Sequence, residues 1–233
     1  MPFFIRLPVA SSAVRLPFTT DQFFGVFARY NDAITPAQLL LLLLGLGAVL
    51  LALRPTRWSD RAIGAVLAAL WAWMGIMYHW RFFRTINPIA SGFAALFVLE
   101  AGLVLWYAVV RPQVVFVADR SVQGALGLIL LVYAFALYPA VGYLLGQRYP
   151  ALPTFGLPCP TTIATLALLL WTETAPPLAI LVIPWVWGVI GGVAAVQLGV
   201  SEDFGLPIAT GISIWAWLRA RRSGHARSSL TAA

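Results

Sequence analysis

Seven apolar runs organise the chain, at roughly 36–53, 62–80, 88–110, 122–145, 160–172, 177–198 and 204–218. A helix needs about 20 apolar residues to cross a hydrocarbon layer of about 30 Å. The first four runs and the sixth reach that length. The fifth and seventh are short and read as tilted, broken or partly inserted helices. The pattern predicts an all-α, polytopic transmembrane helix bundle of about seven spans, or six if one short run is demoted. Ahead of the first run, Thr19-Thr20-Asp21-Gln22 has the form of a capping box from Thr19 to Gln22. Phe23, Phe27, Tyr30 and Ile34 then recur at helical spacing, with Arg29, Asn31 and Asp32 off that stripe. This predicts an amphipathic interfacial helix over 19–34, with a plain lead-in to the first span as the alternative. Residues 1–18 carry Arg6, Pro8, Arg15 and Pro17, which leave no apolar stretch long enough for a signal-peptide core, and read as a loose extension. Residues 35–218 form the transmembrane domain and 219–233 a basic cytoplasmic tail.

Composition supports this pattern. Of 233 residues, 61% are hydrophobic and 10% charged, against roughly 25% charged in soluble domains. Mean hydropathy is +0.88. A water-soluble sphere of this size could not bury so much apolar surface. All 15 basic residues are arginines. The absence of lysine excludes retinal or pyridoxal Schiff bases and the lysine-bearing phosphate-binding loop. The single cysteine, Cys159, excludes an intrachain disulfide. Cys159, His79, His225 and the 3 methionines are too few for a closed zinc site, and no cofactor is expected. The net charge of +7 lies in arginines at the ends of apolar runs, which indicates anchoring at a membrane surface rather than nucleic-acid binding. With seven spans, Arg54, Arg57, Arg61, Arg111, Arg120, Arg219, Arg221, Arg222 and Arg227 share one side. Arg6, Arg15, Arg29, Arg81, Arg84 and Arg148 take the other. The bias places the C-terminus in the cytoplasm and the N-terminus outside.

An internal echo suggests tandem helical-hairpin repeats. Arg54-Pro55 and Asp60-Arg61 precede a run reaching Tyr78, and Arg111-Pro112 and Asp119-Arg120 precede one reaching Tyr138. Gly64-Ala65 corresponds to Gly124-Ala125. Coincidence among apolar segments is the alternative. Three runs begin at Thr35-Pro36, Asn87-Pro88 and Cys159-Pro160. Proline suits the first helical position, Thr and Asn suit caps, and helix N-termini favour anions.

Candidate chemistry collects on the expected outer face, where His79, Arg81, Arg84, Asn87, Arg148, Cys159, Thr161 and Thr162 form a substrate-binding set. Arg81, Arg84 and Arg148 would attract an anion. Glu100 lies near mid-membrane, where a carboxyl is costly, and reads as a proton-coupling residue or as interhelical glue. Cys159 at a helix start should have a lowered pKa, or merely pack. Glu202 and Asp203 read as a solvated turn, or as an answer to the outer arginines. The tryptophans read as packing or interfacial belts.

Several stretches carry a resemblance: Pro17-Phe18-Thr19 with Gln22-Phe23-Phe24, Arg57-Trp58-Ser59-Asp60, Tyr78-His79, Ile86-Asn87-Pro88 and Phe155-Gly156-Leu157-Pro158-Cys159-Pro160-Thr161-Thr162. Over residues 17–210 the chain resembles a family of small bacterial multi-pass proteins of unknown function. In that family the residue after Gly146 is often His, where this chain has Gln147, a departure that weakens any metal or haem site there. The resemblance implies an inner-membrane location and no known activity. The leading functional reading is transport of a small, anionic solute, or binding linked to it. One alternative is a membrane enzyme or redox protein using Cys159 and His79 as a close pair. Another is a non-catalytic subunit. The bilayer, a small anionic solute and a second copy of the chain are the candidate partners, and nucleic acid is not.

Overall fold

The computed structural model describes the backbone of residues 16–231 and the side chains of 16–222. The expected N-terminal extension before Leu16, and the far end of the basic tail with His225 and Arg227, lie outside the described side chains. The described chain is all-α. Its helices are α1 (Thr20–Ile34), α2 (Ala37–Leu53), α3 (Ser59–Thr85), α4 (Ala90–Val110), α5 (Val122–Leu144), α6 (Pro158–Leu170), α7 (Leu178–Leu198) and α8 (Gly205–Thr231). Four of them, α3, α4, α5 and α7, are long and apolar enough to cross a membrane. The pair α1–α2, bent by 91°, makes a fifth if counted as one broken span. This is fewer than the seven spans the apolar runs suggest, although every run forms a helix.

Part of the shortfall is α6, which is apolar but, at 13 residues, too short to count as a span. Twelve of its 13 residues are buried, on every side of the helix. A helix that is apolar all round belongs inside a bundle, and α6 is a central rod packed by α5, α7, α8 and α2. Trp71 on α3 donates to Thr165 on α6 at 3.1 Å. In α8 the apolar stretch ends at Leu218 and Arg219, Arg221 and Arg222 follow.

The connections gather at two ends. At one end, the backbone N–H of Phe116 donates to Asp60 Oδ1 at 2.8 Å. Phe116 also bridges Thr172, and Trp217 donates to the Pro176 carbonyl at 3.1 Å. At the other end, Arg29 reaches Thr85 at 3.3 Å, Asn31 donates to the Pro150 and Leu152 carbonyls, and Thr20 donates to the Leu198 carbonyl. Helices α2 to α8 therefore run back and forth between these ends, and α1 lies along the second.

Of the three expected hairpins, α2 packs on α3 and α6 on α7, whereas α4 and α5 pack chiefly on other neighbours. α3 packs on α2 and α4, while α5 packs on α6. The extended connector 111–120 separates α4 from α5, held to α3 by Asp60 and to the α6 end by hydrogen bonds between Val117 and Trp171 and between Glu173 and Val115. The matched positions also play different parts. Asp60 binds the connector backbone, whereas Asp119 accepts from Ser121 N and Oγ. Ser121 in turn caps α5.

α1 forms as its sequence signals require. Thr19 and Gln22 exchange both capping-box bonds, and Phe23, Phe27, Tyr30 and Ile34 are buried. Asn31, off the apolar stripe, is fully buried as well because its amide clamps the loop before α6. That loop is fixed at Gly156, whose φ of +99° favours glycine and where a Cβ would meet Leu41 Cδ1 at 2.7 Å. The Gly156 carbonyl accepts from Tyr30 Oη at 3.0 Å, and its N–H donates to Thr161 Oγ1 at 3.1 Å.

Candidate functional site

A cavity of about 340 Å³ opens at the α1 end of the bundle. α1 contributes Phe23 and Phe27, with Phe18 just before it. α3 contributes Tyr78 and Phe83, and the α3–α4 turn Asn87 and Ile89. Phe93 on α4, Tyr138 on α5 and the Leu157–Cys159 segment close further sides. Trp187 and the face of α7 through Gln197 complete the wall with Asp203. Ile89, Val189 and Val193 are solvent-exposed and mark the open side, between the start of α4 and the outer face of α7. The open side is bordered by α7, which is long and apolar enough to cross a membrane.

The polar groups on the wall are few. Tyr138 Oη donates to Asp203 Oδ1, and the Cys159 thiol donates to the same carboxyl. Asp203 sits in a short turn between α7 and α8, with 2% of its surface exposed. Burial pushes its carboxyl up to about 6, a rise trimmed by the Tyr138 and Cys159 hydrogen bonds and reinforced by the neighbouring Glu202 carboxylate. Asn87 Oδ1 accepts from the Ile89 N–H at 3.2 Å. No arginine or histidine lines the cavity, and Asp203 is its sole charged side chain among the described residues.

Of the residues expected to form a site, Asn87 and Cys159 line this cavity. The arginines do not. Arg81, Arg84 and Arg148 are exposed, and each guanidinium lies over an aromatic ring: Phe82 at 5.7 Å, Trp80 at 3.9 Å and Tyr143 at 4.0 Å. Arg148 also donates to the Tyr143 and Gln147 carbonyls. They occupy the same end of the bundle as the cavity but do not line it. The caps expected of Thr35 and Asn87 do not form: Thr35 Oγ1 donates backward to the Asn31 carbonyl, α4 starts only at Ala90, and α6 also has no side-chain cap.

His79 is fully buried inside a cage of rings, with Phe97 at 4.5 Å, Trp187 at 5.0 Å and Tyr78 at 5.1 Å between centroids. It lies in a π-helical stretch of α3, Met74–Phe82, in which Tyr78 and His79 are both buried. Neither imidazole nitrogen has a hydrogen-bond partner. Cys159 and His79 therefore form no bonded pair, and Trp187 stands against His79 while lining the cavity that holds Cys159. The thiol is also not activated as a helix start would suggest, because burial and the Asp203 carboxylate push it well above its ordinary range.

Thr161 and Thr162 are buried in α6. Thr161 serves the Gly156 turn, and Thr162 Oγ1 has no partner. Glu100 is fully buried in α4 with both carboxyl oxygens unpartnered, and it lines no part of the cavity. Among the described residues no group of three or more His, Cys, Asp or Glu could hold a metal ion.

Asp203, Tyr138 and Trp187 were not legible as site residues. Asp203 was expected in a solvated turn, yet Glu202 and Asp203 are both buried. The available signal was their setting, Leu198-Gly199-Val200 before them and Phe204-Gly205-Leu206-Pro207 after, which leaves a two-residue acid pair inside an otherwise apolar stretch.

Neither the curated proteins nor the solved structures contain a match to this chain. Residues 20–228 match the sequence profile of DUF6064, a family of unknown function, and the chain belongs to that family.

Proposed function

We propose that this protein is a membrane-embedded binding protein for a small, mainly apolar solute, which enters the cavity sideways from the bilayer as the binding step of a transport process. The observation that carries this reading is the cavity itself. It is walled by aromatic and aliphatic side chains, a few polar groups converge on it, and it opens beside exposed Ile89, Val189 and Val193. Largely apolar pockets of this size with a small polar complement are the usual form of small-molecule sites. The exposed, ring-stacked arginines favour a role at the membrane surface over one in solute capture.

We place the protein in the inner membrane, with the N-terminus outside and the basic C-terminal end in the cytoplasm. Supporting this, the connections carrying Arg54, Arg57, Arg61, Arg111 and Arg120 meet the Trp217 end of α8 at one end of the bundle.

The test is photolabelling of the full chain in membranes with a diazirine-bearing octanol. Saturable adducts are expected on Phe23, Phe93 and Ile190, and Ala194→Trp, which fills the cavity, should abolish them. Adducts confined to lipid-facing residues such as Leu43 and Val132, and not saturable, would overturn the reading.

A further inference from the structure

We infer that the solute accepted by this cavity is a lipophilic cation: a protonated amine or quaternary ammonium on an apolar body. This rests on the cavity being a solute site, as proposed above, and adds the sign of the solute's charge.

The charge follows from what lines the wall. Asp203 is the one charged side chain there among the described residues, and no cation accompanies it. Its partners are a phenol and a thiol, which donate hydrogen bonds and leave the negative charge uncompensated. A buried carboxylate without a counter-charge is costly, and a bound cation removes that cost. The remaining wall is rich in π-faces, including Phe23, Phe27, Phe83, Phe93 and Trp187. Aromatic faces attract cations, most strongly where water is excluded. A carboxylate ligand would meet Asp203 as a like charge, and a neutral ligand would leave it uncompensated. The exposed arginines at this end face outward, so they do not reverse the sign of the interior.

The experiment displaces the diazirine-octanol label from the full chain in membranes with octylamine, octanol or octanoate. At pH 8, octylamine should displace the label at a concentration at least about tenfold below octanol, equivalent to about 1.4 kcal/mol, and octanoate should be weakest. Asp203→Asn should bring the amine-to-alcohol ratio towards one, while Asp203→Glu should retain the preference. A second measurement needs no variant. In the unmodified protein the amine advantage should collapse as pH is lowered below about 6, where Asp203 takes up a proton. The titratable groups facing Asp203 are Tyr138, Cys159, Glu202, Tyr78 and Tyr133.

Equal displacement by all three compounds would make the cavity a slot for uncharged acyl chains and overturn the cation assignment alone. A preference that survives both Asp203→Asn and acidification would overturn it too. Failure of all three to displace the label would overturn the cavity reading and the assignment together.

Discussion

Two buried acids show how differently one chain can hold a carboxyl. Asp203 lies at the α7–α8 junction, accepts hydrogen bonds from Tyr138 and Cys159, and faces a cavity. Glu100 lies inside α4, has no partner on either oxygen among the described residues and does not line that cavity. Both are removed from solvent to the same degree, at 2% and 0% exposure. Burial alone therefore does not mark the functional acid. What separates them is space for a ligand beside a carboxylate that is held in place. The aromatic cage around His79 makes the same point: it has a polar group and enclosure, but no room.

The most severe way to break this comparison is to remove the side chain shared by both regions. Trp187 lines the cavity on one side and packs against His79, Phe93 and Phe97 on the other, at centroid distances of 5.0, 5.4 and 5.0 Å. Trp187→Ala should cost about 3–5 kcal/mol of stability, read as the largest fall in Tm of any single cavity substitution in maltoside micelles. It should also open the His79 cage to solvent, seen as hydrogen–deuterium exchange in the Met74–Phe82 stretch. A fall in Tm no larger than that of a substitution at an exposed position such as Val196→Ala would mean the two regions do not share a wall.

Acid–base behaviour sharpens the contrast at Asp203. Its carboxyl rises from an ordinary 3.8 to about 6 in the folded protein. The folded state then holds the proton more tightly than the unfolded chain. The resulting stabilisation is complete below about pH 4 and is lost as pH rises through about 6. At about 1.4 kcal/mol per unit, the ceiling is about 3 kcal/mol. Denaturation followed from pH 4 to pH 7 should show this loss as the difference between the unmodified protein and Asp203→Asn. Curves that stay parallel across that window would remove the burial argument for Asp203.

Much of the scaffold could be read from local pattern, because local pattern is what forms it. The Thr19–Gln22 capping box and the Phe23-Phe27-Tyr30-Ile34 stripe depend on near neighbours, and both appear as expected. So do helices at all seven apolar runs. The fifth run reads as short, and α6, 13 residues long and buried on all sides, is accordingly not among the helices long enough to cross a membrane. The hairpin repeat is only partly reflected in the packing: α2–α3 and α6–α7 pack as pairs, but Asp60 and Asp119, which match in sequence, hold different partners. Of the expected site residues, Asn87 and Cys159 line the cavity and Arg81, Arg84 and Arg148 do not, since residue type gives charge and not the direction in which a side chain leaves its helix. Asp203, in a turn that looked solvated, becomes interior only through the packing of α7 and α8 around Tyr138 and Cys159.

Glu100 provides the mildest test of the comparison and the one that isolates it best. A buried polar group left without a partner costs roughly 1–3 kcal/mol, and methionine has similar reach with no such penalty. Glu100→Met should therefore raise Tm, with a gain on the order of 1 kcal/mol. It should leave the ratio of octylamine to octanol displacement where it was, because Glu100 is not on the cavity wall. The two readouts bear on different propositions. A fall in Tm would show that the carboxyl is bonded within the bundle, which makes it the interhelical glue that its sequence position also allowed. A lost amine preference with Tm intact would connect Glu100 to the cavity after all and revive its role as a coupling acid. A higher Tm with the preference unchanged would leave Asp203 as the acid that meets the solute, and Glu100 as a destabilising group for which apolar substitution is a gain.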